Sequence, residues 1–119
     1  PAGIPYAFNS LHKAGTKLLM GSDAPVAPLD PWMAISAAVF GTESSDREPF
    51  QPEQCLDFET ALASSTAVGR VALRDADAAD LVLLDCDPSI IDSPEAMRAM
   101  PEHVLGTMLA GRWTYQQAE

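Results

Sequence analysis

The spacing of apolar residues changes several times along this chain, and each change predicts an element. Ile4, Phe8, Leu11 and Ala14 recur at helical spacing. They follow Pro5, whose missing N–H suits a first helical turn, and Gly15 is placed to end the helix. A short, mostly apolar run from Thr16 to Met20 comes next and stops at Gly21. Helix, one glycine, then a buried strand is half of a repeated α/β unit. Pro25, Pro28 and Pro31 make the following stretch irregular. Asp30-Pro31 then predicts an N-cap and first position for a second helix, with Trp32, Ile35, Ala38 and Val39 on its apolar face. Residues 41–56 are polar and proline-bearing and predict a loop. Asp57 can cap a third helix that aligns Phe58, Ala61, Leu62 and Ser65 and runs to about Gly69.

Beyond that point the pattern changes. Ala79-Asp80-Leu81-Val82-Leu83-Leu84-Asp85 predicts a strand ending before Asp87-Pro88, and Pro94 to Met100 a short helix. Val104 to Leu109, Ala110-Gly111 and Arg112 to Tyr115 predict a β-hairpin with large side chains on its return arm. The fold class is therefore α/β. Residues 1–72 form one segment, and residues 73–119 supply strands of a different sheet.

Composition narrows the picture only in places. With 119 residues, 47% of them hydrophobic, the chain can bury a core. No apolar run approaches the roughly 20 residues needed to cross a bilayer. Seventeen acidic residues against seven basic ones give a net charge of −10, which disfavours nucleic acid and anionic membrane as partners. Cys55 and Cys86 have no CxxC spacing and no histidine near them in sequence, so they read as reduced, partly buried thiols, with a disulfide as the alternative. Cytoplasm is the expected compartment. The start at Pro1, with neither initiator Met nor signal peptide, predicts a processed chain or a piece of a longer one.

Candidate chemistry centres on Asp23, just beyond the predicted first strand. Ligands of α/β folds bind at the carboxyl ends of parallel strands. A carboxylate there can hold a divalent metal or accept a proton from metal-bound water. Asp after Gly-Ser also commonly closes a turn on its own backbone, and the residues alone leave both roles open. Ser22 is a candidate for touching substrate or supporting Asp23. His12 reads as a surface helix residue and His103 as a loop residue. Asp75, Asp77, Asp80, Asp85 and Asp87 lack the spacing and glycine of a calcium loop and read as a solvated, strand-flanking set. Trp32, Trp113 and Tyr115 read as core or inter-domain contacts.

Gly21-Ser22-Asp23-Ala24-Pro25-Val26, followed by Pro28-Leu29-Asp30-Pro31, resembles the last barrel strand of the amidohydrolase superfamily. The likeness is nearest to the branch with N-acyl-D-amino-acid deacylases and N-substituted formamide deformylases. Asp57-Phe58-Glu59-Thr60-Ala61-Leu62 with Ser65-Thr66 resembles that family's helix after the barrel. Ala79 to Asp85 with Asp87-Pro88 resembles the strand leading into its small β-domain, and Val104 to Arg112 its closing hairpin. The resemblance implies the C-terminal part of a metal-dependent (β/α)8 TIM barrel over 1–72, with strands of a small composite β-sandwich over 73–119. It also implies a divalent metal, zinc foremost, with Asp23 as both metal ligand and general base. The family's His-x-His pair and its middle-strand ligands are not in this sequence, and Arg74-Asp75-Ala76-Asp77-Ala78 stands where the family has a glycine-rich, lysine-bearing turn.

The expectation is therefore a fragment of an enzyme that hydrolyses a non-peptide amide or formamide C–N bond, inactive by itself. Its remaining ligands would come from a missing N-terminal barrel segment or another chain. The partners are a small amide-type substrate and that covering segment or chain, which would meet Leu18, Leu19, Ile35, Val39 and Leu62; a homo-oligomer is a further expectation. The alternatives are a non-catalytic binding or oligomerisation module of the same fold and a metal-dependent deaminase.

Overall fold

The computed structural model describes residues 3–118; Pro1, Ala2 and Glu119, at the outer ends of the two predicted segments, lie outside the described residues. Its helices are α1 (Phe8–Lys13), α2 (Pro31–Phe40), α3 (Phe58–Ser64) and α4 (Pro94–Arg98), and its strands are β1 (Leu81–Leu84), β2 (Val104–Leu109) and β3 (Arg112–Gln116). Single 3-10 turns at 52–54, 88–90 and 100–103 join them.

Local chemistry accounts for the helix starts. The Asp30 carboxylate accepts the Trp32 backbone N–H at 2.9 Å, with Pro31 at the first helical position. Asp57 accepts the Thr60 N–H at 2.9 Å and the Thr60 hydroxyl at 2.7 Å, and these bonds hold its carboxyl below the usual carboxylate range. Ser93 caps α4 through the Ala96 N–H. Gly41 ends α2 with φ +65°, the left-handed conformation that glycine adopts without strain.

The core forms where α2 meets α3 and α4. Trp32, Ile35, Leu56, Ala61, Met97 and Met100 are buried there. Partly buried Leu18, Met20, Phe58, Leu62, Leu84 and Cys86 pack around them. Inside this cluster the Ser36 hydroxyl donates to the Pro94 carbonyl at 3.2 Å, satisfying a polar group that burial would otherwise penalise. Ile35, expected to face a partner, is instead only 1% exposed, because α4 returns to cover α2 within the same chain.

The strands form one antiparallel sheet in the order β1-β2-β3. The hairpin turn places Ala110 and Gly111 at φ 49° and 75°, both positive as a two-residue type I′ connection requires. The Asp80 carboxylate accepts the Ala110 N–H at 2.7 Å, tying the entry of β1 to that turn. Gly106 is required by close approach: a Cβ there would sit 2.7 Å from the Trp113 ring.

Three expectations fail. Residues 16–20 form no strand; Leu19 is 71% exposed, and the Met20 N–H goes to the Ser64 carbonyl at 2.9 Å. A strand exists through its ladder, and among the described residues no strand lies beside this run. Helix α1 begins at Phe8, not near Pro5, and Ile4, Phe8 and Leu11 stay exposed. Its anchors are polar instead: the Ser10 N–H donates to Gln54 Oε1 at 3.1 Å, and Asn9 Nδ2 donates to the Glu53 carbonyl at 2.9 Å. Helix α3 is also shorter than expected, because its last turn closes at Ser65 rather than Gly69.

The loop after α2 is clamped to α4 by Glu95, whose two carboxylate oxygens accept the Ser45 N–H and the Ser45 hydroxyl, each at 2.7 Å. These bonds lower the Glu95 pKa from 4.5 to about 2. A carboxyl depressed in the folded state stabilises above its unfolded pKa, and that contribution disappears as pH falls through the folded value. Urea unfolding should therefore show wild type losing its advantage over Glu95→Gln as pH drops from about 4.5 to 2. A difference that stays constant over that interval would refute the clamp.

Candidate functional site

Asp23 and Ser22 occupy the turn that leaves residues 16–20. The turn closes through the Val26 N–H and the Asp23 carbonyl at 2.9 Å, and the Ala24–Pro25 peptide bond is cis. Asp23 adopts φ 52°, a left-handed conformation in which Asp and Asn are several-fold enriched among non-glycine residues. Its side chain is exposed, and no hydrogen bond engages its carboxylate among the described residues. The turn is thus closed by backbone, not by this carboxylate, which leaves its oxygens free to act as ligands.

Ser22 is half-buried and lines a cleft of about 750 Å³, whose wall includes Leu18, Met20, Met33, Phe50 and Arg98. The wall is mostly apolar, with few polar groups, as in small-molecule sites. Asp23 is not part of the wall; it follows Ser22 in sequence. Asp30, besides capping α2, contributes to the same wall.

As a metal centre this corner does not suffice by itself. A catalytic zinc ordinarily takes three protein ligands. Among the described residues, no group of three His, Cys, Asp or Glu side chains within ligand distance includes Asp23. Asp23 supplies a donor of the right chemistry, but it belongs to no such group among the described residues.

The structure does gather ligand-type side chains elsewhere. Asp85, Cys86 and His103 bring one ligand atom each to within 4.8 Å of one another. His103 Nδ1 lies 2.8 Å from Asp85 Oδ1. Burial and the neighbouring Asp85 and Asp87 carboxylates push the Cys86 thiol up. His103 is therefore not a bare loop residue; it closes a 3-10 turn and reaches across to the end of β1. The expectation of a cysteine without a histidine partner is corrected here, since β1–β2 pairing joins positions far apart in sequence. The predicted antiparallel strands carried that signal, because pairing them sets the end of β1 beside the start of β2.

Three of the other acidic residues in the strand-flanking set have structural partners. Asp77 is paired with Arg70, which holds its carboxyl below the usual range; Asp80 caps the hairpin turn; and Asp87 accepts the Ser89 N–H at 2.9 Å. Both cysteines are free thiols, each half-buried. No helix among the described residues is long and apolar enough to cross a membrane.

A family model described as the amidohydrolase family matches residues 2–115, almost the whole chain, and the chain belongs to that family. That places it in the hydrolase class. No curated protein and no solved structure matches it.

Proposed function

We propose that this chain is the C-terminal part of a metal-dependent amidohydrolase that cleaves a non-peptide C–N bond, an amide or formamide, in the manner of the deacylase and deformylase branch. The family match over residues 2–115 carries the reading, and the segment Gly21-Ser22-Asp23 falls inside it. On this reading residues 1–72 belong to a (β/α)8 barrel and 73–119 to a small β-sandwich, and the enzyme works in the cytoplasm. Asp23 contributes one carboxylate to a divalent metal, zinc foremost. The remaining ligands come from another segment or another chain. The exposure of Ile4, Phe8, Leu11, Leu19, Val26 and Leu29, with Phe8 and Leu19 on the wall of the cleft, supports such a covering surface.

The metal, when bound, lowers the pKa of its water to roughly 7. Asp23, exposed and free of competing hydrogen bonds among the described residues, would be one of the residues holding that metal, and its carboxylate would be the group able to hold a proton beside it. The apolar cleft beside it holds the acyl or N-substituent, and Ser22 orients it. Hydrolysis of N-formyl and N-acyl amines by the full-length protein should fall at least a hundredfold on chelation and return with zinc. A metal-stripped protein that keeps its full rate would overturn the metal role. Failure of the zinc-replete protein to turn over any of these amides would favour a binding module, and turnover of cyclic amidines alone would favour a deaminase.

A further inference from the structure

We propose that Asp85, Cys86 and His103 form a second cation site, for one thiophilic divalent ion of the zinc class. The backbone builds it from two elements. β1 pairs antiparallel with β2, and its last residue, Leu84, stands opposite Val104 after a register shift at Leu83/Leu84. The Asp85 N–H then donates to the His103 carbonyl at 3.1 Å, which fixes the two chains side by side. Consecutive residues of a strand point to opposite faces, but Asp85 and Cys86 lie in a bend, where that alternation is broken. Their side chains therefore converge with the His103 ring, the three ligand atoms lying within 4.8 Å of one another.

Binding an ion requires adjustment of this cluster, whose ligand atoms lie within 4.8 Å of one another with Asp85 and His103 at 2.8 Å. Tetrahedral zinc with bonds of about 2.0–2.3 Å sets its ligand atoms roughly 3.3–3.8 Å apart. The Asp85–His103 separation of 2.8 Å must open by about half an ångström to reach that spacing, and both side chains are over two-fifths exposed and free to move. Thiolate, imidazole and carboxylate together select zinc or cobalt over magnesium or calcium, which prefer all-oxygen shells. Three ligands leave a fourth position to water. Beneath the site lies fully buried Met100, whose sulfur is 3.8 Å from the Cys86 sulfur, giving an apolar floor. The Cys86 proton passes to solvent as the thiolate takes the ion. A cation held here ties the end of β1 to the start of β2 and shares no ligand with the Asp23 turn, so the site is distinct from the proposed hydrolytic centre.

Cobalt(II) is the probe, because a thiolate ligand produces a near-ultraviolet charge-transfer band that oxygen and nitrogen ligands do not. Titrating the full-length protein should raise that band to one equivalent per chain, and zinc should displace it. Cys86→Ser should remove the band and Cys55→Ser should leave it. Asp85→Asn and His103→Gln, both at exposed side chains, should weaken the apparent Kd by about tenfold or more. No band at one equivalent, or a band that survives Cys86→Ser, would overturn the site. If Cys86→Ser does not fold, unchanged affinity in both of the exposed variants would overturn it equally.

Discussion

Asp23→Asn in the full-length protein is expected to lower kcat for amide hydrolysis by a factor of about 10²–10⁴, the range associated with losing a positioned proton acceptor. Asparagine is the informative replacement for two reasons. It keeps the size of the side chain while losing the charge that holds metal and accepts a proton. It also tolerates the left-handed backbone at φ 52°, where alanine would add strain of roughly 1–2 kcal/mol. Because the side chain is exposed and carries no hydrogen bond among the described residues, the thermal midpoint should move little. Activity within a few-fold of wild type would defeat the assigned role. A large fall in midpoint alongside lost activity would show instead that Asp23 serves the fold.

The largest expected effect on stability lies at Ile35. Its side chain is 1% exposed at the junction of α2 with α3 and α4, among six buried apolar residues that make up the core. Ile35→Ala removes buried methylene groups and leaves a space that short helices on three sides cannot close, costing about 2–5 kcal/mol. Against the 5–15 kcal/mol typical of whole domains, that is a large share. Ile35→Val should cost only about 0.5–1.5 kcal/mol, which separates lost volume from lost shape. Chemical denaturation measures both, and an alanine variant unfolding within 1 kcal/mol of wild type would show that this junction is not the core.

The same contrast between local and distant chemistry separates what could be read along the chain from what could not. The caps at Asp30 and Asp57 were legible because a carboxylate two or three residues before an N–H needs no tertiary partner. The hairpin was legible because a two-residue loop sets Leu109 opposite Arg112, although the register shift at Thr107/Met108 was not. The strand expected at 16–20 failed because strand formation depends on a neighbour that spacing does not specify. The apolar face of α1 was legible as a pattern, but its exposure was not, since periodicity says which side is greasy and not what covers it.

The candidate site divides in the same way. Residues 21–26, in context with the helix and hairpin segments after them, pointed to the amidohydrolase family, and the family match agrees. Along the chain His103 reads as a loop residue and Cys86 as a reduced thiol, and only strand pairing brings them together with Asp85.

By itself, then, the sequence determined the family, the capped starts of α2 and α3, the hairpin and the identity of Asp23 as the residue to test. Each of these rests on interactions spanning a few residues or on a motif carried in order. Tertiary structure alone decided that α4 buries Ile35, that the 16–20 run has no sheet partner among the described residues, and that a thiol, an imidazole and a carboxylate converge at the end of β1. Those outcomes depend on which distant segments meet, and the free energy of such meetings comes from burial and pairing between surfaces that no local window contains.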